Sequence, residues 1–274
     1  MTRPSLRQRI YPVYAKNLAR LRRIRWLRKL LTRNFSTGKV AFGEKHQYAL
    51  PYSWILVDNE DADVQIDLCS LKPFLFRAES LSVIYSAHMI EHLPENALIH
   101  FLNESYRTLK SGGFIRLEAP DAGKALQYYK DGDSSAYWDY FAAANQKHIV
   151  ERLGFSSEYT AAHISLLGLF SCYIFKNTQI PVYASKMEVD LQLQKLSLNE
   201  FAAWCVSLQT PDQRQTGGHI NYFTRQRLSH LLTQAGFRNV SCTENRKTAI
   251  PNIKITSIER VERGFYSLYM EAQK

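Results

Sequence analysis

The sequence holds no apolar run long enough to cross a bilayer, which excludes a membrane-spanning helix. Its four cysteines, Cys69, Cys172, Cys205 and Cys242, lie far apart and form no CxxC pair. That spacing excludes a zinc knuckle or a redox dithiol, and scattered thiols fit a reducing, cytoplasmic compartment. Acidic residues are missing from the first 33 positions, where eleven Lys and Arg stand instead. The whole chain carries +10, so removing those eleven charges leaves −1 for the remainder. The basic character belongs to an N-terminal arm, and the body is close to neutral.

What is present suits a packed α/β protein. Hydrophobic residues make up 45% of the 274 and charged residues 22%, which argues against wholesale disorder. In the arm, Leu18, Leu21, Ile24, Leu27 and Leu31 recur at helical spacing beside a dense cationic face. Three uses of this helix are open: docking on the body, lying on an anionic membrane as a peripheral contact, or clamping nucleic-acid phosphates. The neutral body argues against nucleic acid. The Arg-rich start also shares features with organellar transit peptides, whereas a secretory signal lacks its apolar core here.

Beyond the arm, short apolar runs alternate with helical periodicity. Thr37–Gly43, Ser53–Val57, Leu81–Ser86 and Phe114–Ala119 read as strands, and Pro94–Leu109 as an amphipathic helix. The pair Gly112–Gly113 reads as the stop of that helix. Thr224–Ala235 predicts a second helix capped by Thr224, and Phe237–Cys242 and Tyr266–Ala272 predict two final strands forming an antiparallel edge. Alternating strands and helices argue for a Rossmann-like, doubly wound, mostly parallel sheet. Residues 122–216 break the rhythm and read as a helical insertion or cap. The expected organisation is an arm at 1–35, an α/β domain at 36–121 and 217–274, and the cap between.

Several segments carry a specific resemblance. Tyr85-Ser-Ala-His-Met-Ile-Glu-His-Leu-Pro94 precedes Arg107-Thr-Leu-Lys-Ser-Gly-Gly113 and Arg116-Leu-Glu-Ala-Pro-Asp121. Val57–Asp58 is followed by Asp63-Val-Gln-Ile-Asp67-Leu68, and His219-Ile-Asn-Tyr-Phe opens the C-terminal part. Over about residues 38–125 and 217–274 the chain resembles class I S-adenosylmethionine (SAM) dependent methyltransferases, and among them those of bacterial surface-polysaccharide pathways. The resemblance implies SAM as cofactor, bordered by Gly43, Asp58, Asp67, Leu68 and Ser86. It implies an acceptor, a small molecule or a glycan that is lipid-linked or free, approached by His88 and His219. Asp58 would accept the ribose hydroxyls and Asp67 the adenine amino group. An imidazole at His88 could orient or deprotonate an acceptor hydroxyl. No metal is implied. Both aspartates are also ordinary turn residues.

One departure stands out. The family's first loop carries two or three glycines, because the backbone passes close to its ligand. Here Phe42-Gly-Glu-Lys-His-Gln-Tyr-Ala-Leu-Pro51 keeps only Gly43, with Lys45 where a second glycine is expected. Two outcomes follow: a shifted loop that still holds SAM, or a non-catalytic binding or scaffold protein that kept the fold. His88-Met-Ile-Glu91-His92 also fits the H-x-x-E-H pattern of inverted zinc proteases. That chemistry needs both histidines on one helix, and Pro94 follows too closely. Glu91 and His92 are expected in a polar loop capping the helix near Pro94.

Overall fold

The computed structural model describes residues 38–43, 54–60, 62–131, 184, 186–208 and 219–274. The arm and the loop at 44–50 lie outside them, as do Tyr137, Trp138 and Tyr140 of the expected cap.

Seven strands form one sheet: β1 Lys39–Phe42, β2 Trp54–Asp58, β3 Val64–Gln65, β4 Leu81–Ala87, β5 Leu109–Pro120, β6 Arg238–Thr243 and β7 Ser267–Gln273. Their spatial order is β3-β2-β1-β4-β5-β7-β6. The first five run parallel; β7 enters antiparallel between β5 and β6. The doubly wound sheet with an antiparallel end is therefore as expected, with β6 as the edge and β7 inside it. The central strands are apolar on both faces. Val40, Phe42, Ile55, Val57 and Ile84 face one core with the helix α1 Glu95–Thr108, and Ala41, Leu56, Val83 and Tyr85 face a second. Burial on both faces is what parallel strands between helical layers require.

Chain order reverses at β1, whose neighbours are β2 and β4. In open α/β sheets ligands bind beyond the carboxyl ends of strands at such a switch. The register puts Phe42 beside both Val57 and Ser86, so Gly43, Asp58 and Ala87 emerge together at that point.

Two local expectations need correction. Gly112–Gly113 does not end the helix. α1 closes at Thr108, Leu109 is already extended, and the glycines lie within β5. There the register slips between Leu81 and Val83, whose partners are Leu109 and Phe114, so the extra residues bulge out. Gly112 takes φ +76°, and a Cβ on Gly113 would stand 2.9 Å from the Lys110 carbonyl oxygen. Glu91 is not a helix cap. It sits in a 3₁₀ turn at Ile90–His92, and Pro94 occupies the N-cap of α1 with no side-chain bond.

In the cap region, α2 Ala122–Asp131, α3 Lys186–Lys195 and α4 Leu198–Ser207 share a small core of Ala122, Ala125, Val189, Phe201, Ala202 and Cys205. Its described tyrosines bond within the fold: Tyr128 donates to the Phe265 carbonyl at 3.0 Å and Tyr129 to Asp190. The last helix, α5 Arg225–Gln234, is capped by Thr224, which accepts from the Arg227 amide at 3.1 Å.

Candidate functional site

Gly43 closes β1 with φ +78°, a conformation that favours glycine. Its amide donates to the Val57 carbonyl at 3.2 Å, and a Cβ there would lie 2.4 Å from the Cβ of Met89. The first loop thus needs glycine for its approach to the loop after β4. Asp58 ends β2, half-buried, with Oδ1 accepting from the Asn59 amide at 2.7 Å. Asp67 is exposed. Its Oδ1 accepts from Cys69 at 2.9 Å and caps the 3₁₀ turn Leu68–Ser70, while Leu68 packs against the main core. Asp63, in the same motif, ties β3 to β2 by accepting from the Leu56 amide at 2.9 Å. Ser86 is fully buried and its hydroxyl has no hydrogen-bond partner, an orphaned polar atom at the switch point.

His88 follows β4 in the left-handed region, φ +48°, which costs energy for a residue with a Cβ. Its amide donates to the Glu118 carbonyl at 2.9 Å. Nε2 lies 2.8 Å from Ser267 Oγ and 3.4 Å from Glu118 Oε1; Nδ1 lies 3.2 Å from Glu91 Oε1. Burial works against a charged imidazole here, but the carboxylates of Glu118 and Glu91 outweigh it and raise the His88 pKa. Glu118 is fully buried on β5 and accepts from Tyr85 at 2.8 Å and Tyr269 at 3.3 Å. Burial alone would raise its pKa, yet the His88 bond and charge hold it low. With both ring nitrogens engaged, proton abstraction by His88 would require one contact to break.

His219 reaches the same neighbourhood from the segment before α5. The Glu91 carbonyl accepts from Ile220 at 2.9 Å and Asn221 at 3.0 Å, and Asn221 Nδ2 donates to the Leu93 carbonyl at 3.2 Å. The rings of His219 and His92 meet edge to face, centroids 4.9 Å apart. Asp121 pairs with Phe223 and accepts from Gly123 at 2.8 Å, so α2 starts from the end of β5 beside the segment before α5.

The structure therefore brings Gly43, Asp58 and Ser86 to adjoining strand ends, and His88 and His219 to the two sides of Glu91. Asp67 and Leu68 belong to the β3 side. Sequence reasoning missed Glu118. Its signal was a charge inside an apolar central strand, where a carboxylate survives only with partners.

Residues fitting an adenosyl ligand are present at the switch point: a glycine-permitted close turn, a carboxylate ending β2 and the unpartnered buried hydroxyl of Ser86. Comparison with known proteins agrees. Residues 29–117 match the family model described as a methyltransferase domain. No curated protein sequence matches. Among solved structures, a SAM-dependent methyltransferase from Archaeoglobus fulgidus is 13% identical, with a TM-score of 0.39 over 92% of this chain and 94% of that one. Another from Thermotoga maritima is 13% identical, TM-score 0.38, over 86% and 82%. Phosphoethanolamine N-methyltransferase 2 from Haemonchus contortus, solved with SAM, is 12% identical, TM-score 0.36, over 91% and 52%. Scores of this size leave the fold to rest on the sheet itself. The matched segment holds β1 to β4 and most of β5, with Gly43, Asp58, Asp67, Ser86 and His88 inside it, and over that segment the chain is similar to the methyltransferase-domain family.

Proposed function

We propose that the chain methylates a hydroxyl of a small-molecule or glycan acceptor. The observation that carries this reading is the meeting of Gly43, Asp58 and Ser86 at the switch point, with the His88–Glu118–Glu91 network beside them. When bound, SAM supplies a methyl carbon already activated by a positive sulfur. The protein's part is alignment and exclusion of water. Asp58 would accept the ribose hydroxyls, and Ser86 would find the partner it lacks. Asp67 would have to receive an adenine amino group on the oxygen left by the Cys69 bond. His88, held between two carboxylates, would donate to an acceptor oxygen or position Glu91. His219 would border the acceptor from the opposite side.

A lipid-linked sugar is the acceptor class that suits a basic, amphipathic arm at residues 1–33, because anionic lipid attracts such a helix. Among the described residues no helix is long and apolar enough to cross a membrane. The second reading, a non-catalytic binding protein, is favoured by the single glycine of the first loop.

The deciding experiment is isothermal titration of the purified chain with SAM and S-adenosylhomocysteine, with Asp58→Ala as control. Saturable binding weakened roughly 10- to 100-fold by the control supports the enzyme, since hydrogen bonds to a charged group contribute about 1.5–3 kcal/mol. No heat from a folded sample at millimolar ligand sinks it in favour of the binding protein.

A further inference from the structure

Among the described residues, one group of side chains beside the strand ends could hold a metal ion. Glu91, His92 and His219 each offer one ligand atom, and the three atoms lie within 4.8 Å of one another. We propose that they form a binding site for one divalent transition-metal cation of the zinc class, with an acceptor oxygen at its open position. The second half of that statement rests on the function proposed above; the first does not.

Glu91 is the main reason. Its side chain is 1% exposed, and neither carboxylate oxygen accepts a well-aligned hydrogen bond, His88 Nδ1 standing 3.2 Å from Oε1 as an ion-pair neighbour. A buried carboxylate without donors is costly, and such groups are ordinarily paired or bound to metal. His88 Nδ1, 3.2 Å from Oε1, attends to one oxygen only. A histidine behind a ligating carboxylate is the outer-shell support that metal sites use.

The site is also held together before any ion arrives. Ile220 and Asn221 donate to the Glu91 carbonyl, which locks the His219 segment onto the turn carrying Glu91 and His92. The two imidazoles are only partly buried. Small rotations would bring the three ligand atoms to the roughly 3–4 Å mutual spacing of ligands on one zinc ion. Two imidazoles and one carboxylate are a donor set that zinc and its first-row neighbours accept while keeping coordination positions open. Hard, oxygen-seeking cations such as Mg²⁺ and Ca²⁺ suit it less.

A cation here would take up the task that the engaged nitrogens of His88 perform poorly. Coordination lowers the pKa of a bound hydroxyl, whose proton then leaves to solvent water. The sequence alone conceals the site. His88, Glu91 and His92 form a local pattern, but the productive set drops His88 and takes its third member from His219, far along the chain.

The test uses the tag-free, full-length chain stripped with EDTA. It is titrated calorimetrically with Zn²⁺, and separately with Co²⁺ followed by its visible absorption. SAM is titrated into the same preparations. The expected result is one equivalent of metal with a low-coordinate Co²⁺ spectrum. His219→Ala and His92→Gln weaken metal binding by at least about 100-fold, whereas His230→Ala, on the exposed face of α5, leaves it unchanged. SAM binding retained by the first two variants shows that they fold. Absence of saturable metal binding, or binding that survives both variants, overturns the site. Metal binding without SAM binding keeps the site and removes the proposed function; SAM binding without metal does the reverse.

Discussion

Arg107 grips Glu104 one turn earlier in α1 with two parallel bonds, Nε to Oε1 at 2.8 Å and Nη2 to Oε2 at 2.7 Å. The pair also holds a loop. Glu104 accepts from the Phe74 amide at 2.6 Å, and Arg107 Nη2 donates to the carbonyls of Phe74 at 3.3 Å and Phe76 at 3.1 Å. That loop carries Phe74 into the core against Phe42 and Phe101. The Arg107 bond, against the opposing effect of burial, lowers the Glu104 pKa. A depressed carboxyl contributes stability that is present above its unfolded pKa, about 4.3, and is lost as pH falls through the folded value. Glu104→Gln is therefore expected to cost about 1–2 kcal/mol at neutral pH in urea unfolding. The gap from the unmodified chain is expected to narrow progressively as pH falls below about 4.3. A gap that stays constant as pH falls from neutral into the acid range would contradict the assignment.

Among the described residues Arg116 is the largest wholly buried side chain, and two glutamates hold it: Glu259 at 2.5 Å from Nε and Glu271 at 2.6 Å from Nη1. It also bonds Thr243 at 2.7 Å and lies over the Tyr269 ring, 5.3 Å from its centre. Removing one member of such a set leaves buried charge behind. Arg116→Ala is expected to destabilise the fold by about 3–5 kcal/mol. Removing both glutamates as well, as Arg116→Met with Glu259→Gln and Glu271→Gln, is expected to recover part of that loss. Thermal or urea unfolding of the two variants checks the order.

Gly43→Ala tests the first loop. Left-handed backbone costs a residue with a Cβ about 1–2 kcal/mol, and the new Cβ would stand 2.4 Å from that of Met89. The expected outcome is a lower melting temperature together with weaker SAM binding. An unchanged melting temperature would show that the turn is looser than its geometry indicates.

The arm is tested by charge. Vesicles containing phosphatidylserine are expected to sediment the intact chain at low salt and release it at high salt. Arg22→Glu with Arg23→Glu and Arg25→Glu should abolish sedimentation while leaving unfolding unchanged. Equal binding by the variant would assign the arm to docking on the body.

Periodicity made much of the fold legible. β1, β2, β4, β6, β7, α1 and α5 stand within a few residues of their expected places, because each but the edge strand β6 buries a face or both faces. β3, two residues long, is too short for any pattern to announce. Gly112–Gly113 misled because glycine serves both helix ends and bulges, and only the pairing of β4 with β5 tells them apart. In the site, strand-end residues were readable and their partners were not. Glu91 looked like a surface cap, since nothing local shows that His219 and Asn221 close over it. Glu118 and Arg116 hid in a strand that reads as apolar, and their partners lie 143 and 155 residues away for Arg116 and 149 for the Glu118–Ser267 contact.

The placement of β7 bears on how the protein is made. It pairs with β5 on one side and β6 on the other, although it is the last of the seven strands to be synthesised. While β1 to β5 are already outside the ribosome, β5 presents an open edge carrying Arg116 and Glu118 without their β7 partners. Such an edge is a template for mispairing with other chains. The nascent sheet therefore has a waiting period, through the synthesis of residues 121–266, in which β5 depends on folding helpers or on the solubility of its own charges.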